Sequence, residues 1–322
     1  MNEKSLISLE KIATRDAYGK ALVKLGGMNS DIVVLDADLS KSTKTADFAK
    51  VFPERFFNMG IAEQNLIGFS AGLAASGKVP FASTFAVFAT GRAFEQIRNS
   101  VAYPKLNVKV AATHAGVSVG EDGASHQAIE DIALMRCLPN MSVFVPADAQ
   151  ETFQVIKKAA EWNGPVYIRM GRLAVPVLFD ESYEFQIGKA NVIREGKDAA
   201  VFAVGLMVQE ALKAAEELSG LGMEIAVVNC ASVKPLDQDT LIKVAKQTGA
   251  VVTAEEHNII GGLGSAVAEV LMENYPVPMI RVGIKDTFGE SGKPEELLEK
   301  YGLTSKEIIK AVQQVYHKKK NK

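Results

Sequence analysis

The chain alternates between short runs of apolar, mostly β-branched residues and longer amphipathic stretches. In the first half, the apolar runs predict strands at residues 32–35, 79–83, 108–112, 142–145 and 166–170. The amphipathic stretches between them predict helices at 10–25, 61–76, 92–103, 127–136 and 147–163. Because these strands lack polar alternation, both faces of their sheet need cover from crossover helices. This half therefore predicts a doubly wound parallel α/β domain.

The alternation stops between Gly171 and Lys197 and then resumes. We interpret the interval, which has weak periodicity, as a linker with one short strand. Beyond it, strands are predicted at 200–204, 224–229, 250–255 and 279–282, with helices at 208–219, 237–247, 265–273 and 305–315. The predicted organisation is a first α/β domain over residues 1–172, a linker over 173–190, and a smaller α/β domain over 191–322.

The composition of the chain limits the classes of protein to which it can belong. The chain has 322 residues, 48% of them hydrophobic and 23% charged, as in ordinary soluble proteins. A net charge of −2 argues against bulk attraction to nucleic acid or to an anionic membrane. The two cysteines, Cys137 and Cys230, form no CxxC pair, so a disulfide framework is not expected. We expect a cytoplasmic protein in which both thiols are buried and inert.

Candidate chemistry lies in loops at the carboxyl ends of predicted strands, where such sheets usually bind ligands. The loop after the strand at 32–35 reads Asp36-Ala-Asp38-Leu-Ser40-Lys-Ser42. One interpretation is an acidic turn in which Ser40 or Ser42 caps the next helix. The other is a ligand site built from its carboxylates and hydroxyls.

The second candidate is Glu63, at the start of an almost uniformly apolar helix. A lone glutamate there can simply favour the helix dipole. A helix this apolar is expected to be buried, however, so its carboxylate must pair with a donor or take up a proton. Phe85 and Phe88, three residues apart, share a helical face. They are either part of the core or an aromatic surface that could hold a flat ring.

The third loop, residues 113–127, reads THAGVSVGEDGASHQ and holds two of the four histidines. Its histidines, glycines and carboxylates suit proton transfer and hydroxyl recognition. The spacing between His114 and His126 matches no common metal-ligand pattern, so we predict no metal site on this chain. Farther on, Gly261, Gly262 and Gly264 suggest dinucleotide binding, but Val267 stands where a third small residue belongs. We favour a strand-end loop followed by a helix start.

The three loops, in this order, resemble the transketolase family of thiamine-diphosphate enzymes. Residues 113–127 are similar to the family signature THxxxGVGEDGxTHQ, residues 60–65 (GIAEQN) to GIREHA or GIAEQ, and residues 37–43 (ADLSKST) to ADLTxS. Residues 12–19 (IATRDAYG) resemble a segment that carries a substrate-binding arginine. The resemblance covers the family's C-terminal half, which holds a pyrimidine-binding domain and a C-terminal domain.

The resemblance implies a role for each matching residue. Glu63 would hydrogen-bond N1′ of the aminopyrimidine of thiamine diphosphate. The residues implied around that ring are Phe85, Phe88, Ile61 and Asp38. His126 would act at the reacting carbon chain, and Asp122 would bind a substrate hydroxyl. The residues implied to hold a substrate phosphate are Arg15, Ser42, His114 and Arg172. The implied reaction transfers a two-carbon ketol unit from a ketose phosphate to an aldose phosphate.

Two departures from the family pattern matter. Gly91 stands where many transketolases have a third aromatic residue, and Arg92 onward looks more like deoxyxylulose-phosphate synthases and 2-oxoacid dehydrogenase β chains. These two activities remain alternatives, with a non-catalytic binding module as a third. The sequence also has no GDG motif for diphosphate and Mg²⁺. The chain thus resembles the small subunit of a split transketolase. A pyrophosphate-binding partner would carry the Mg²⁺ ligands in a heterotetramer, in which this chain would self-associate across its C-terminal half.

Overall fold

The structure is a computed structural model and describes residues 10–320. The outermost residues of the two predicted domains lie outside that range. The strands are β1 (Lys11–Ala13), β2 (Ile32–Asp36), β3 (Phe56–Asn58), β4 (Val79–Phe85), β5 (Lys109–Thr113), β6 (Ser142–Phe144), β7 (Val166–Arg169), β8 (Ala174–Pro176), β9 (Asn191–Arg194), β10 (Ala199–Ala203), β11 (Ile225–Asn229), β12 (Ser232–Lys234), β13 (Val251–Asn258) and β14 (Met279–Ile284). The helices are α1 (Thr14–Met28), α2 (Ser40–Thr43), α3 (Ala46–Val51), α4 (Glu63–Ala75), α5 (Phe94–Gln96), α6 (Asp131–Arg136), α7 (Ala149–Glu161), α8 (Met207–Ser219), α9 (Gln238–Thr248), α10 (Leu263–Asn274), α11 (Pro294–Lys300) and α12 (Ser305–Lys320).

The first sheet has seven strands in the order β12-β6-β7-β5-β4-β2-β3. All of its pairs are parallel except that of β12 with β6. Alternate residues of β2 enter different apolar clusters: Val33 and Leu35 pack in one, Ile32 and Val34 in the other. Both faces of the sheet are therefore covered, as the predicted doubly wound fold requires.

The second sheet has the order β14-β13-β10-β11-β9, and only its edge strand β9 runs antiparallel. One apolar cluster contains Val33 and Leu35 of the first sheet together with Ala200 and Phe202 of the second. Strand β12, which follows β11 in the chain, crosses back to pair with β6. The two α/β units thus share a core, and this brings residues of the C-terminal half close to the loops of the first sheet.

Several predicted elements differ from the structure for identifiable reasons. Helix α1 begins at Thr14 rather than at residue 10, because Lys11–Ala13 pair with Ala174–Pro176 as a small antiparallel sheet. Helix α6 begins at Asp131 rather than at 127, because the preceding residues close the third loop. The predicted helix at 92–103 is helical, but π-helical turns flank α5 on both sides. The unpredicted elements have only three to seven residues and include β1, β3, β9, β12, α2, α3 and α11.

Two expectations about burial were wrong. Helix α4 is not enclosed within the chain: Phe69 is 43% exposed, and a side chain added at Gly68 or Gly72 would meet open space. Cys230 is buried as predicted, but Cys137 is exposed because it follows the last residue of α6. Between residues 10 and 320, no helix is both long enough and apolar enough to cross a membrane.

Candidate active site

The first part of the site joins the start of α1 to the end of β5. The Arg15 guanidinium donates from Nη1 to the Ser42 carbonyl at 3.2 Å and to His114 Nε2 at 3.0 Å. The other ring nitrogen, His114 Nδ1, lies 2.8 Å from the hydroxyl of Thr113. Because a guanidinium can only donate, His114 Nε2 accepts and the ring proton sits on Nδ1. Three residues implied to hold a phosphate thus meet at one place.

The group formed by Arg15, Ser42 and His114 is cationic, and one of its hydrogen-bond donors has no partner among the described residues. Burial, with the charges of Arg15 and Arg172, lowers the pKa of His114 to about 3. Burial also lowers the pKa of Arg15, and its buried Nε has no hydrogen-bond partner in the part of the chain described. An unpaired buried donor is costly, so the group is suited to an anion that would accept from it.

A row of aromatic rings extends from this cationic group. The ring of Phe85, at the end of β4, stacks on His114 with centroids 3.8 Å apart. Phe88 lies nearly parallel to Phe85 at 5.8 Å, with 16° between the ring planes. His126 meets Phe88 edge-on at 5.3 Å. The sequence suggested either core or a ring-binding surface for these phenylalanines. Phe85 is buried, whereas Phe88 is half-buried and can contact a ligand.

Glu63 lies at the far end of the aromatic row. It is the first residue of α4 and only 4% exposed. Its Oε1 pairs with Arg92 Nη1 at 3.6 Å, and the Arg92 guanidinium packs over the Phe88 ring at 4.3 Å. The sequence prediction that this carboxylate is buried and paired is thus correct. Contacts run without a gap from Arg15 to Glu63.

Arg172 and Asp122 form a second, more exposed part of the site. Arg172 Nη1 donates to the Val119 carbonyl at 2.7 Å and to Asp122 Oδ2 at 3.3 Å, with Glu121 Oε2 at 3.8 Å. Arg172 also lies close enough to Arg15 and His114 to lower the pKa of both. Two residues implied to bind substrate therefore bind each other in the isolated chain.

The first loop differs in part from its predictions. Neither serine caps α2; instead the buried Asp36 accepts from Leu39 N at 2.6 Å, Thr43 Oγ1 at 2.6 Å and Thr45 Oγ1 at 2.9 Å. Asp38 is exposed and accepts from Asn58 Nδ2 at 2.9 Å. Ile61 is 78% exposed. In this chain neither Asp38 nor Ile61 takes part in the contacts from Arg15 to Glu63.

The glycine-rich segment after β13 has its helix N-terminus already occupied by a side chain. The carboxylate of Glu255 accepts the backbone N–H of Leu263 at 2.7 Å and of Gly264 at 2.8 Å, at the start of α10. These are N–H groups that a dinucleotide phosphate would need. The interpretation as a strand-end loop followed by a helix start is therefore correct.

Sequence reasoning missed some members of the site. Arg92 stands four residues after Phe88, a helical spacing that could have suggested their stacking, but nothing local links it to Glu63. Thr113 was noted only as part of the third loop, although its hydroxyl accepts from the Nδ1 proton of His114. Over residues 10–320, no group of three His, Cys, Asp or Glu side chains could hold a metal ion.

Comparison with known proteins identifies the family. Residues 10–177 match the model of the transketolase pyrimidine-binding domain, and residues 188–308 match the transketolase C-terminal domain. The chain is 44% identical to a 6-deoxy-6-sulfo-D-fructose transketolase subunit of Clostridium sp., over 99% of both chains. It is 39% identical to an apulose-4-phosphate transketolase subunit of Phocaeicola vulgatus, over 93% of this chain and 96% of that one. A solved split-gene transketolase, an inactive β4 tetramer, is 64% identical with a TM-score of 0.90, over 95% of this chain and 99% of that chain. The chain therefore belongs to the transketolase family and consists of its pyrimidine-binding and C-terminal domains.

Proposed function

We propose that this chain is the small subunit of a two-chain transketolase. It would bind the pyrimidine end of thiamine diphosphate and the sugar phosphates, and a partner chain would bind the diphosphate and Mg²⁺. One observation carries the proposal: an unbroken row of contacts joins a buried carboxylate, two parallel aromatic rings and a cationic group with a free donor.

The residues at one end of this row fit the aminopyrimidine ring. The pairing of Glu63 with Arg92 is long, at 3.6 Å, so the carboxylate can exchange it for a hydrogen bond to a ring nitrogen. Phe88 is half-buried and offers an aromatic surface, and the exposed Ile61 is free to cover a ring from the side. When bound, the cofactor supplies the nucleophilic carbon that accepts the two-carbon unit. Glu63 would hold a proton at N1′ of the ring.

The other end of the row fits a phosphate. Arg15 brings a buried, unpaired donor, and Arg172 would exchange its bond to Asp122 for the ligand. Both nitrogens of His114 are already bonded, so this ring positions Arg15 and does not transfer protons. Within residues 10–320, the side chain of His126 bonds only to Ser125, and it lies beside the aromatic row. We therefore assign proton transfer on the substrate oxygens to His126, and hydroxyl recognition to Asp122.

The need for a partner rests on chemistry that this chain lacks. The sequence has no GDG motif, and no acidic or histidine cluster for a cation is found in residues 10–320. The open face of α4, with Phe69 and two uncovered glycines, begins at Glu63, so a chain seated there would complete the cofactor site. The related split-gene protein, inactive as a β4 tetramer, agrees with this requirement. We propose a heterotetramer located in the cytoplasm, where the exposed free thiol of Cys137 would stay reduced.

Reconstitution tests the proposal. The purified chain is assayed alone and with a transketolase N-terminal chain, using xylulose 5-phosphate and ribose 5-phosphate with thiamine diphosphate and Mg²⁺. We expect ketol transfer only from the mixture. Pyruvate with glyceraldehyde 3-phosphate serves as the matched assay for a deoxyxylulose-phosphate synthase. Transfer by the isolated chain, or turnover of pyruvate alone, would contradict the proposal.

A further inference from the structure

The loop that carries His114, Asp122 and His126 is held by residues of the C-terminal half of the chain. We call residues 114–128 the histidine loop. It is closed at its base, where Gly116 N donates to the Ala128 carbonyl at 2.8 Å. Next to that closure, Ser118 N donates to Glu256 Oε1 at 2.7 Å. Glu256 lies on β13 of the second sheet and is only 4% exposed.

The loop backbone is shaped to receive this carboxylate. Gly116 has a φ of +83°, and a Cβ placed there would lie 2.1 Å from Cδ of Glu256. Any side chain at this position would therefore collide with the carboxylate, and the backbone conformation itself favours glycine. The carboxylate of Glu256 thus fits against the loop because residue 116 has no side chain.

Glu256 is in turn fixed from the first sheet. Arg169 of β7 donates from Nη2 to the backbone carbonyl of Glu256 at 2.8 Å and to that of Ala128 at 3.3 Å. Its Nε donates to Asp131 Oδ2 at 2.8 Å. Burial raises the pKa of Glu256 to about 7, an effect that Arg169 and the Ser118 N–H oppose and Asp131 reinforces. Arg169 therefore fixes the backbone at Glu256, and the Ser118 N–H holds its carboxylate.

A second segment of the C-terminal half covers the same loop near its tip. The buried Gln127 donates to the Glu290 carbonyl at 2.9 Å and to the loop carbonyl of Gly120 at 3.2 Å. A Cβ on Gly123 would lie 2.6 Å from the Ser291 hydroxyl. Gln127 adjoins His126, and Gly123 adjoins Asp122. The contacts from the second sheet thus extend to the neighbours of both site residues.

We propose that Glu256 is a positioning residue for the sugar site: its carboxylate holds the histidine loop in the shape in which His114, Asp122 and His126 converge. The hydrogen-bond partners of Glu256 are Ser118 of the loop and Arg169, and neither is a ring of the aromatic row, so we expect Glu256 to act on the site through the loop. The C-terminal domain would thereby help determine how the first domain binds its sugar. The identity of that ligand rests on the proposed function above.

The test compares Glu256→Ala, Glu256→Gln and Glu256→Asp in the reconstituted two-chain enzyme. Three quantities are measured: amide hydrogen exchange over residues 116–127, the affinity for thiamine diphosphate with Mg²⁺, and kcat and KM for the sugar phosphates. We expect Glu256→Ala to speed exchange and to raise KM, each by about tenfold or more, since the buried hydrogen bond from Ser118 N is lost. Cofactor affinity should stay within about twofold, because Glu63 and Phe88 lie outside the loop. Glu256→Gln should restore most of the protection and of KM, because its amide oxygen can accept from Ser118 N.

Glu151→Gln is the matched control. Glu151 is also buried with a raised pKa of about 7, but its hydrogen bonds are with Ala147, Tyr183 and Asn229, and none of them joins it to residues 114–128. We expect it to change global stability without changing KM or exchange in residues 116–127. If Glu256→Ala fails to fold, Glu256→Asp, which keeps the charge but shortens the reach, replaces it. A folded Glu256→Ala, or Glu256→Asp where it replaces the alanine variant, with wild-type exchange and KM would overturn the proposal. If the wild-type mixture shows no ketol transfer, the proposed function fails, while the exchange measurement still tests the contact.

Discussion

The surroundings of His114 favour the neutral form of its ring. Burial and nearby guanidinium groups lower its pKa to about 3, against an ordinary value of 6.5. The difference of about 3.5 pH units corresponds to about 5 kcal/mol for one proton. In the unfolded chain this ring takes up a proton as the pH falls below about 6.5, whereas in the folded chain it does not. Its stabilising effect is therefore complete above that pH and is lost as the pH falls, by about 1.4 kcal/mol per unit.

Two measurements check this value. Nitrogen-15 NMR of the four histidines should show His114 neutral at pH 5, with the proton on Nδ1, as its bonds to Thr113 and Arg15 require. Urea unfolding should show that the free energy of unfolding of the wild type is about 2 kcal/mol lower at pH 5 than at pH 7.5. The variant His114→Asn should lack this difference. The exposed His317→Asn is the control for loss of a histidine. Titration of the His114 ring above pH 6, or a proton on Nε2, would refute the reasoning.

Three further predictions concern other parts of the chain. Glu63→Ala should lower turnover of the reconstituted enzyme by orders of magnitude with an unchanged Tm, and a variant within tenfold of wild type would contradict its role. Arg172→Ala should raise KM for phosphorylated sugars more than it lowers kcat, with Arg172→Lys intermediate; equal losses on unphosphorylated sugars would argue against phosphate binding. Burial raises the pKa of Glu151 to about 7, so its stabilising effect is present below about pH 4.5 and about 3 kcal/mol is lost as the pH rises to 7. Urea unfolding should show that the free energy of unfolding of Glu151→Gln lacks this dependence on pH. The same change with pH in the variant as in the wild type would argue against a raised pKa of Glu151.

The sequence was informative where apolar runs are long and buried on both faces. Strands such as β2, β4 and β5 are apolar along most of their length. Such runs predict strands whose sheet is covered by helices on both faces. The short elements were not accessible in this way. Strand β12 has three residues and exists because β6 offers it an edge, a long-range pairing that no local pattern encodes. Helix α1 begins late for the same kind of reason, since the residues just before it pair with β8.

In the site as well, some residues can be identified from the local sequence and others only from the long-range packing. Glu63 could be singled out because a carboxylate at the start of an apolar helix is unusual, and the histidine loop because reactive groups are dense in it. The partnership of Arg92 with Glu63 depends on how the helical segment after β4 folds back onto α4. The contact of Glu256 with Ser118 spans 138 residues and two sheets. Such contacts follow from the tertiary packing, so only the structure can show them.

A calorimetric titration shows whether the cofactor site is shared between two chains. Thiamine diphosphate with Mg²⁺ is titrated into this chain alone, into the N-terminal partner chain alone, and into their equimolar mixture. We expect tight, saturable binding only in the mixture, and its loss with Glu63→Ala. Tight binding to this chain alone would show that the site is not shared, because residues 10–320 contain no group of His, Cys, Asp or Glu side chains suited to hold the metal.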